Sequence, residues 1–241
     1  MVRHISAVVV LAAAAIAAPP PAIASPNIAG LVVFLDPGHN GANEGNGRQV
    51  PTGRGGTKAC QTSGTTTASG YPEHTFTWDT TLRIRAALTD RGVRSAMSRG
   101  DDASSGPCVD ARAAAANAVA PSAIISIHAD GGPPAGRGFH VNYSDPPLNG
   151  AQKVQAPVLA KTMRDELVGA GLSPAGYIGS GGLYGRADLA GLNLAQYPAL
   201  LVELGNMRNP QEAAAMESPE GRQRYADAVV AGIVSYLSTL R

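Results

Sequence analysis

Three short apolar runs, each ending on a residue that can do chemistry, constrain this chain more than anything else in it. Leu31-Val32-Val33-Phe34-Leu35 runs into Asp36-Pro37-Gly38 and then His39. Ala123-Ile124-Ile125-Ser126-Ile127 delivers His128, followed by Ala129-Asp130. Ala199-Leu200-Leu201-Val202 delivers Glu203, followed by Leu204-Gly205. Continuous apolar runs suit strands buried on both faces, as in parallel sheets covered by helices. In open sheets of that kind, ligands bind at the carboxyl ends of the strands. Two histidines and a glutamate are therefore expected on one rim, a pattern that suggests a metal site.

The segments between these runs read mostly as helices and turns. Proline favours a first helical turn, so a helix is expected from Pro72, with Trp78, Leu82 and Ala86, and with Ile84 and Leu88, at i,i+4 spacing. Gly92 ends it. Val93 to Ser98 reads as a strand, Val109 to Ala118 as a short alanine-rich helix, and Gly138 to Tyr143 as a strand with Phe139, Val141 and Tyr143 alternating. Ala156 to Gly169 reads as helical. Asn209-Pro210-Gln211-Glu212 resembles a capping box. Ser218-Pro219-Glu220 opens a last helix whose buried stripe is Tyr225, Val229, Ile233 and Leu237. Strands alternating with helices predict an α/β fold: a single-domain αβα sandwich with a mostly parallel twisted sheet flanked by helices.

The ends and loops bound the setting. Arg3, the apolar run Ile5 to Ala18 and Ala22-Ile23-Ala24 form the three parts of a secretory signal peptide. The expected division is residues 1–24 as signal peptide and residues 25–241 as one catalytic domain, with a retained N-terminal anchor as the other reading. Cleavage removes Arg3 and takes the formal charge from +1 to 0. A neutral chain gives no electrostatic case for nucleic acid or an anionic membrane surface. Asn43 to Gly70 is a long loop rich in Gly, Thr and Ser. It contains Cys60, and the second of the chain's 2 cysteines, Cys108, lies in another loop. In an exported chain the pair reads as one disulfide, worth about 4 kcal/mol in the chain-entropy picture. Two free thiols is the ordinary alternative.

Taken in order, Asp36-Pro37-Gly38-His39, Glu73, Ser126-Ile127-His128-Ala129 and Val202-Glu203-Leu204-Gly205 resemble the zinc-dependent N-acetylmuramoyl-L-alanine amidases of the amidase-3 family. Ser98-Arg99 with Asp102, and Arg112 to Asn117, stand where that family carries its Thr-Arg…Asp and Arg-x-x-x-Ala-Asn elements. The resemblance runs from about Leu31 to the C-terminus. It is strongest to the single-domain secreted mycobacterial members, including the Gly/Thr-rich loop and both cysteines.

The resemblance implies that His39, Glu73 and His128 bind one zinc ion per chain and that Glu203 is catalytic. The residue types suit the task, because catalytic zinc commonly takes three N/O ligands and keeps a position open for water. The implied partner is peptidoglycan or muropeptides. The chain is expected to act as a monomer without an integral membrane segment, exported to the periplasm or cell wall. Singly, each residue has an ordinary reading. His39 suits a structural histidine, Glu73 a helix-dipole acid, and Glu203 an ion-pair member. Asp36 is expected to fix the turn or to orient His39. His74 should face the surface, and His140 is the reserve histidine. Relatives often follow the Glu-Leu-Gly with two apolar residues, Ser and Asn. Here Asn206-Met207-Arg208-Asn209 stands instead, which should alter the wall beside Glu203. A different class of function remains open at this point: a catalytically silent peptidoglycan-binding or regulatory protein on the same fold.

Overall fold

The computed structural model describes residue 1, residues 27–43 and residues 47–241. Apart from Met1, the expected signal peptide lies outside the described residues. The elements are β1 (Val32–Pro37), β2 (Gln49–Pro51), β3 (Thr57–Ala59), α1 (Glu73–Thr89), β4 (Arg94–Met97), α2 (Val109–Ala118), β5 (Ala123–Asp130), β6 (His140–Ser144), α3 (Gly150–Gly169), β7 (Leu183–Arg186), α4 (Ala190–Asn193), β8 (Ala199–Asn206), α5 (Pro210–Glu217) and α6 (Pro219–Ser238).

All strands but β2 and β3 build one six-stranded sheet, in the order β4-β1-β5-β8-β6-β7. Pairing is parallel except between β6 and β8. Three apolar runs of the sequence, β1, β5 and β8, are its adjacent central strands. Successive residues of a strand point to opposite faces, so each run serves two surfaces. Val33, Leu35, Ile125, Ile127, Leu200, Val202 and Val141 are all 0% exposed. They pack with Phe76, Ile84 and Leu88 of α1, Leu159 and Met163 of α3, and Val229, Ile233 and Leu237 of α6. The opposite face is covered only in part. Phe34, Ile124 and Ala199 meet Ala116 of α2 and Leu192 of α4 in a smaller cluster.

Several helices differ in detail from expectation. The apolar face of α1 is not Trp78, Leu82 and Ala86: Leu82 is 39% exposed, while Phe76, Thr80, Ile84 and Leu88 turn inward. Threonine methyls fill part of the buried face, which hides it from a hydropathy pattern. Trp78 instead stacks against the Arg99 guanidinium. The helix α3 begins at Gly150, before Pro157, because the Asn149 side chain caps it by accepting from the Gln152 amide. Asn209 caps α5 as expected, accepting from Gln211 and Glu212 amides. The Glu212 carboxylate does not close the box. It accepts from the Asn206 and Gly138 amides instead. The stripe on α6 is as read.

The 43–70 loop contains the hairpin of β2 and β3. Cys60, just after β3, is bonded to Cys108 before α2. That bond ties the loop over the partly covered face of the sheet.

Candidate metal centre

The positions of the key side chains follow from strand register. In parallel pairing His128 stands beside Glu203, and Asp36 beside Ser126. Paired residues share a face, so Asp36, Ser126, His128 and Glu203 all project to the partly covered side. Glu73 enters from above, as the first residue of α1. His39 sits in the turn after β1, with a backbone φ of 62°. Gly38 makes room for His128, since a Cβ there would lie 2.3 Å from its ring.

His39, Glu73 and His128 converge so that one donor atom of each lies within 4.8 Å of the others. Glu73 Oε1 is 3.0 Å from His39 Nε2 and 2.9 Å from His128 Nδ1. Two imidazole nitrogens and a carboxylate oxygen, all largely shielded from water, are the donor set that a catalytic N/O metal site requires. Burial works to raise the Glu73 carboxyl, but the hydrogen bonds and charge of His128 and His39 outweigh it and hold it well below the usual range. Burial lowers the His128 imidazole, keeping it in the neutral form a ligand needs.

Glu203 has a different environment. Its Oε2 is buried and, among the described residues, has no hydrogen-bond partner. Burial, then repulsion from Glu73 and Asp130, raises its carboxyl well above the ordinary value. A carboxylate left unpaired beside a ligand cluster is costly as structure, and is typical of groups tuned for proton transfer.

The scaffold beneath is ionic. Asp36 does not touch His39. Its carboxylate accepts from Ser98, Ser126 and Arg112 at 2.6–2.7 Å. Burial alone would raise this group, yet Arg112 and the two hydroxyls bring it down to about 2. Arg112 also donates to the Pro37 and His39 carbonyls. Arg99 reaches the Pro37 and Gly38 carbonyls from the other side. Of the two roles expected for Asp36, the turn-fixing one is the one observed.

His74 lies off the centre, paired with Asp102 at 2.8 Å and half-buried rather than at the surface. His140 pairs in register with Glu203 from the antiparallel side. It is buried, is held down to about 4 by that burial, and does not line the cleft. None of Asn206, Met207, Arg208 and Asn209 lines it either. Met207 is in the core, and the Asn206 amide ties the Pro133 and Gly136 carbonyls. That departure therefore shapes the 133–136 turn rather than the wall beside Glu203.

The centre opens into a cleft of about 310 Å³ bounded by Lys58, Gln61, Thr62, Asp130, Arg186 and the apolar residues under α2 and α4. Asp130 is held by the Tyr177 hydroxyl at 2.9 Å. Arg186 was not legible in the sequence, because β7 gives no apolar run. Asp130 was signalled only by its place two residues after His128.

Residues 33–235 match the family described as N-acetylmuramoyl-L-alanine amidase, amidase-3. The chain belongs to that family. The chain is 66% identical over 220 residues to N-acetylmuramoyl-L-alanine amidase Rv3717 of Mycobacterium tuberculosis, covering 90% of this chain and 91% of the relative. The amidase fold superposes on the Ami1 amidase of Mycobacterium smegmatis with a TM-score of 0.88 at 68% identity, covering 88% of this chain and 99% of the other. The apo form of Ami1 from Mycobacterium abscessus gives 0.86 at 66% identity, over 87% and 99%. The enzyme is thus an N-acetylmuramoyl-L-alanine amidase on the α/β fold with a mostly parallel sheet expected from its sequence.

Proposed function

We propose that this amidase uses zinc, held by His39, Glu73 and His128, and acts on peptidoglycan or its fragments at the amide joining the muramic lactyl group to L-alanine. The observation that carries the reading is the pairing of a shielded His/Glu/His donor set with the unpartnered Glu203 carboxylate on the neighbouring strand. When bound, zinc supplies Lewis-acid polarisation of the scissile carbonyl and makes a water acidic enough to react near neutral pH.

The protein's own residues do the rest. His39 and His128 present imidazole nitrogens, and Glu73, whose hydrogen bond and charge raise His39 against its burial, supplies the charge that offsets the cation. Glu203 takes the proton from the attacking water and passes it to the leaving L-alanine nitrogen. Burial, then the charges of Glu73 and Asp130, raise its carboxyl, which strengthens it as the base for the first half of that transfer. Asp130 and Arg186 flank the cleft on the Glu203 side and are placed to meet polar groups of the substrate. Arg99 and Arg112 keep the 37–39 turn in shape.

The reading extends to the rest of the chain: residues 1–24 as a signal peptide, residues 25–241 as the catalytic domain, action outside the cytoplasm, and a monomeric enzyme. The deciding experiment is incubation with muramyl dipeptide, with and without chelator, followed by mass analysis. Free dipeptide and N-acetylmuramic acid should appear, stop appearing on chelation, and return with added zinc. Unchanged cleavage in protein stripped of metal would sink the zinc assignment. No cleavage of this or larger wall fragments would sink the substrate assignment.

A further inference from the structure

Two of the proposed ligands are gripped from outside by one short stretch of chain, and that stretch begins at the disulfide. Cys60 is bonded to Cys108. Two residues later the Thr62 carbonyl accepts from His39 Nδ1 at 2.9 Å, and the Thr62 hydroxyl lies 3.2 Å from the same nitrogen. The Thr65 amide donates to Glu73 Oε2 at 2.9 Å, and the Thr65 carbonyl accepts from the Glu73 amide at 3.0 Å. Between them Gly64 has φ 79°, and a Cβ there would lie 2.6 Å from Glu73 Oε2 and 2.9 Å from His39 Cδ2. Residues 61–65 belong to neither helix nor strand.

These contacts select which atom of each ligand faces the ion. A neutral imidazole has one N–H and one free nitrogen, and the partner of the first decides where the second points. With Nδ1 committed to Thr62, His39 turns Nε2 toward Glu73. With Oε2 committed to Thr65, Glu73 turns Oε1 toward both histidines. His128, on a central strand, needs no such help. Hydrogen bonds to an irregular segment orient only if the segment itself is held, since a free loop recovers its conformational entropy. Here one end is held by the disulfide and by the Val109 amide donating to the Cys60 carbonyl at 2.9 Å.

We propose that Thr62, Gly64 and Thr65 are positioning residues of the metal centre, kept in register by the Cys60–Cys108 bond, so that the grip on zinc depends on the redox state of that bond. The proposal rests on the metal reading above. Neither cysteine, nor Gly64, nor Thr65 lines the cleft. Opening the bond is an ordinary thiol–disulfide exchange, in which a dithiol attacks through a mixed disulfide, is itself oxidised to a disulfide, and leaves Cys60 and Cys108 as two thiols.

The test is zinc affinity, read by competition with a chromophoric chelator. Zinc-loaded protein is compared with the same protein reduced in place, with the Cys60→Ser/Cys108→Ser variant, and with Gly64→Ala. Thiol counting establishes the state of the bond, and far-ultraviolet circular dichroism checks the fold. The affinity should fall by about tenfold or more on reduction, the scale of losing outer contacts to a ligand. Gly64→Ala should lose a similar amount with the disulfide intact. A disulfide that only stiffens the fold would lower the melting temperature of the metal-free protein and leave zinc affinity alone. Affinities within twofold of the parent in both reduced protein and Gly64→Ala overturn the proposal. Reduction in place answers the question even where the double-serine variant fails to fold. A parent that binds no zinc overturns the metal reading and this proposal together, an outcome distinct from equal affinity in the two redox states.

Discussion

The two faces of the central sheet are built from the same strands and are chemically opposite. On one, Leu35, Ile125, Ile127, Leu200 and Val202 are fully buried under three long helices. On the other, alternate residues of those strands are Asp36, Ser126, His128 and Glu203, beneath two short helices and a cleft. Period-two alternation lets each strand do both jobs without compromise. The sealed face supplies the apolar burial that drives folding. The open face is therefore able to hold Glu203, whose unpaired carboxylate oxygen lowers stability where it stands. The difference teaches that stability and chemistry here are separable by face rather than by region of sequence.

That separation can be broken experimentally. The largest effect belongs to the open face: His128→Ala should lose metal and activity together, measured by elemental analysis and product mass, while the protein stays folded. Activity without metal in that variant would refute the ligand role. Next, Glu203→Gln should keep zinc and fold, and should lower hydrolysis by roughly 10²–10⁴. Its melting temperature should not fall, because the amide removes a buried carboxylate with no partner. If Glu203→Gln lost zinc instead, Glu203 and Glu73 would have exchanged roles. A change on the sealed face should do the reverse. Ile125→Ala, at a residue fully buried on that face and outside the cleft, should cost about 2–5 kcal/mol in urea unfolding and leave turnover per folded molecule unchanged.

The smallest effect sharpens the boundary between the faces. The Asp36 carboxyl stands at about 2 in the folded protein against an ordinary 3.8. A depressed carboxyl contributes stability that is present above the unfolded value and lost as pH falls through the folded one. Metal-free protein should therefore gain about 2 kcal/mol from this group between pH 2 and pH 4. Urea unfolding across that window should show the gain in the parent, and Asp36→Asn should lack that share of the slope. An equal slope in both would assign the acid sensitivity elsewhere.

Much of this division was legible in the sequence, for reasons that differ by element. The runs into His39, His128 and Glu203 announced themselves because these strands carry apolar residues on both faces, with Phe34, Ile124 and Ala199 in the smaller cluster. The stripe on α6 was legible because Tyr225, Val229, Ile233 and Leu237 keep one period. The inner face of α1 was not, because Thr77, Thr80 and Thr81 bury methyl groups under a polar name. The strand β7 is short and half-exposed, so Arg186 came without warning. Contacts made by main-chain atoms, such as the Thr62 carbonyl and the Thr65 amide, leave no trace in side-chain identity at all. The capping glutamate Glu212 was misread because a carboxylate that suits one amide suits any, and folding brought the Asn206 and Gly138 amides closer.

The backbone at His39, with φ at 62°, has an evolutionary consequence. L-residues with a Cβ pay roughly 1–2 kcal/mol in that region, whereas glycine and asparagine occupy it comfortably. At this one position selection for catalysis and selection for stability pull toward different residues. A lineage released from the need to cut would gain stability by drifting from His39 to Gly or Asn, with the two buried arginines still holding the turn. The descendant would keep the cleft and lose the proposed ligand.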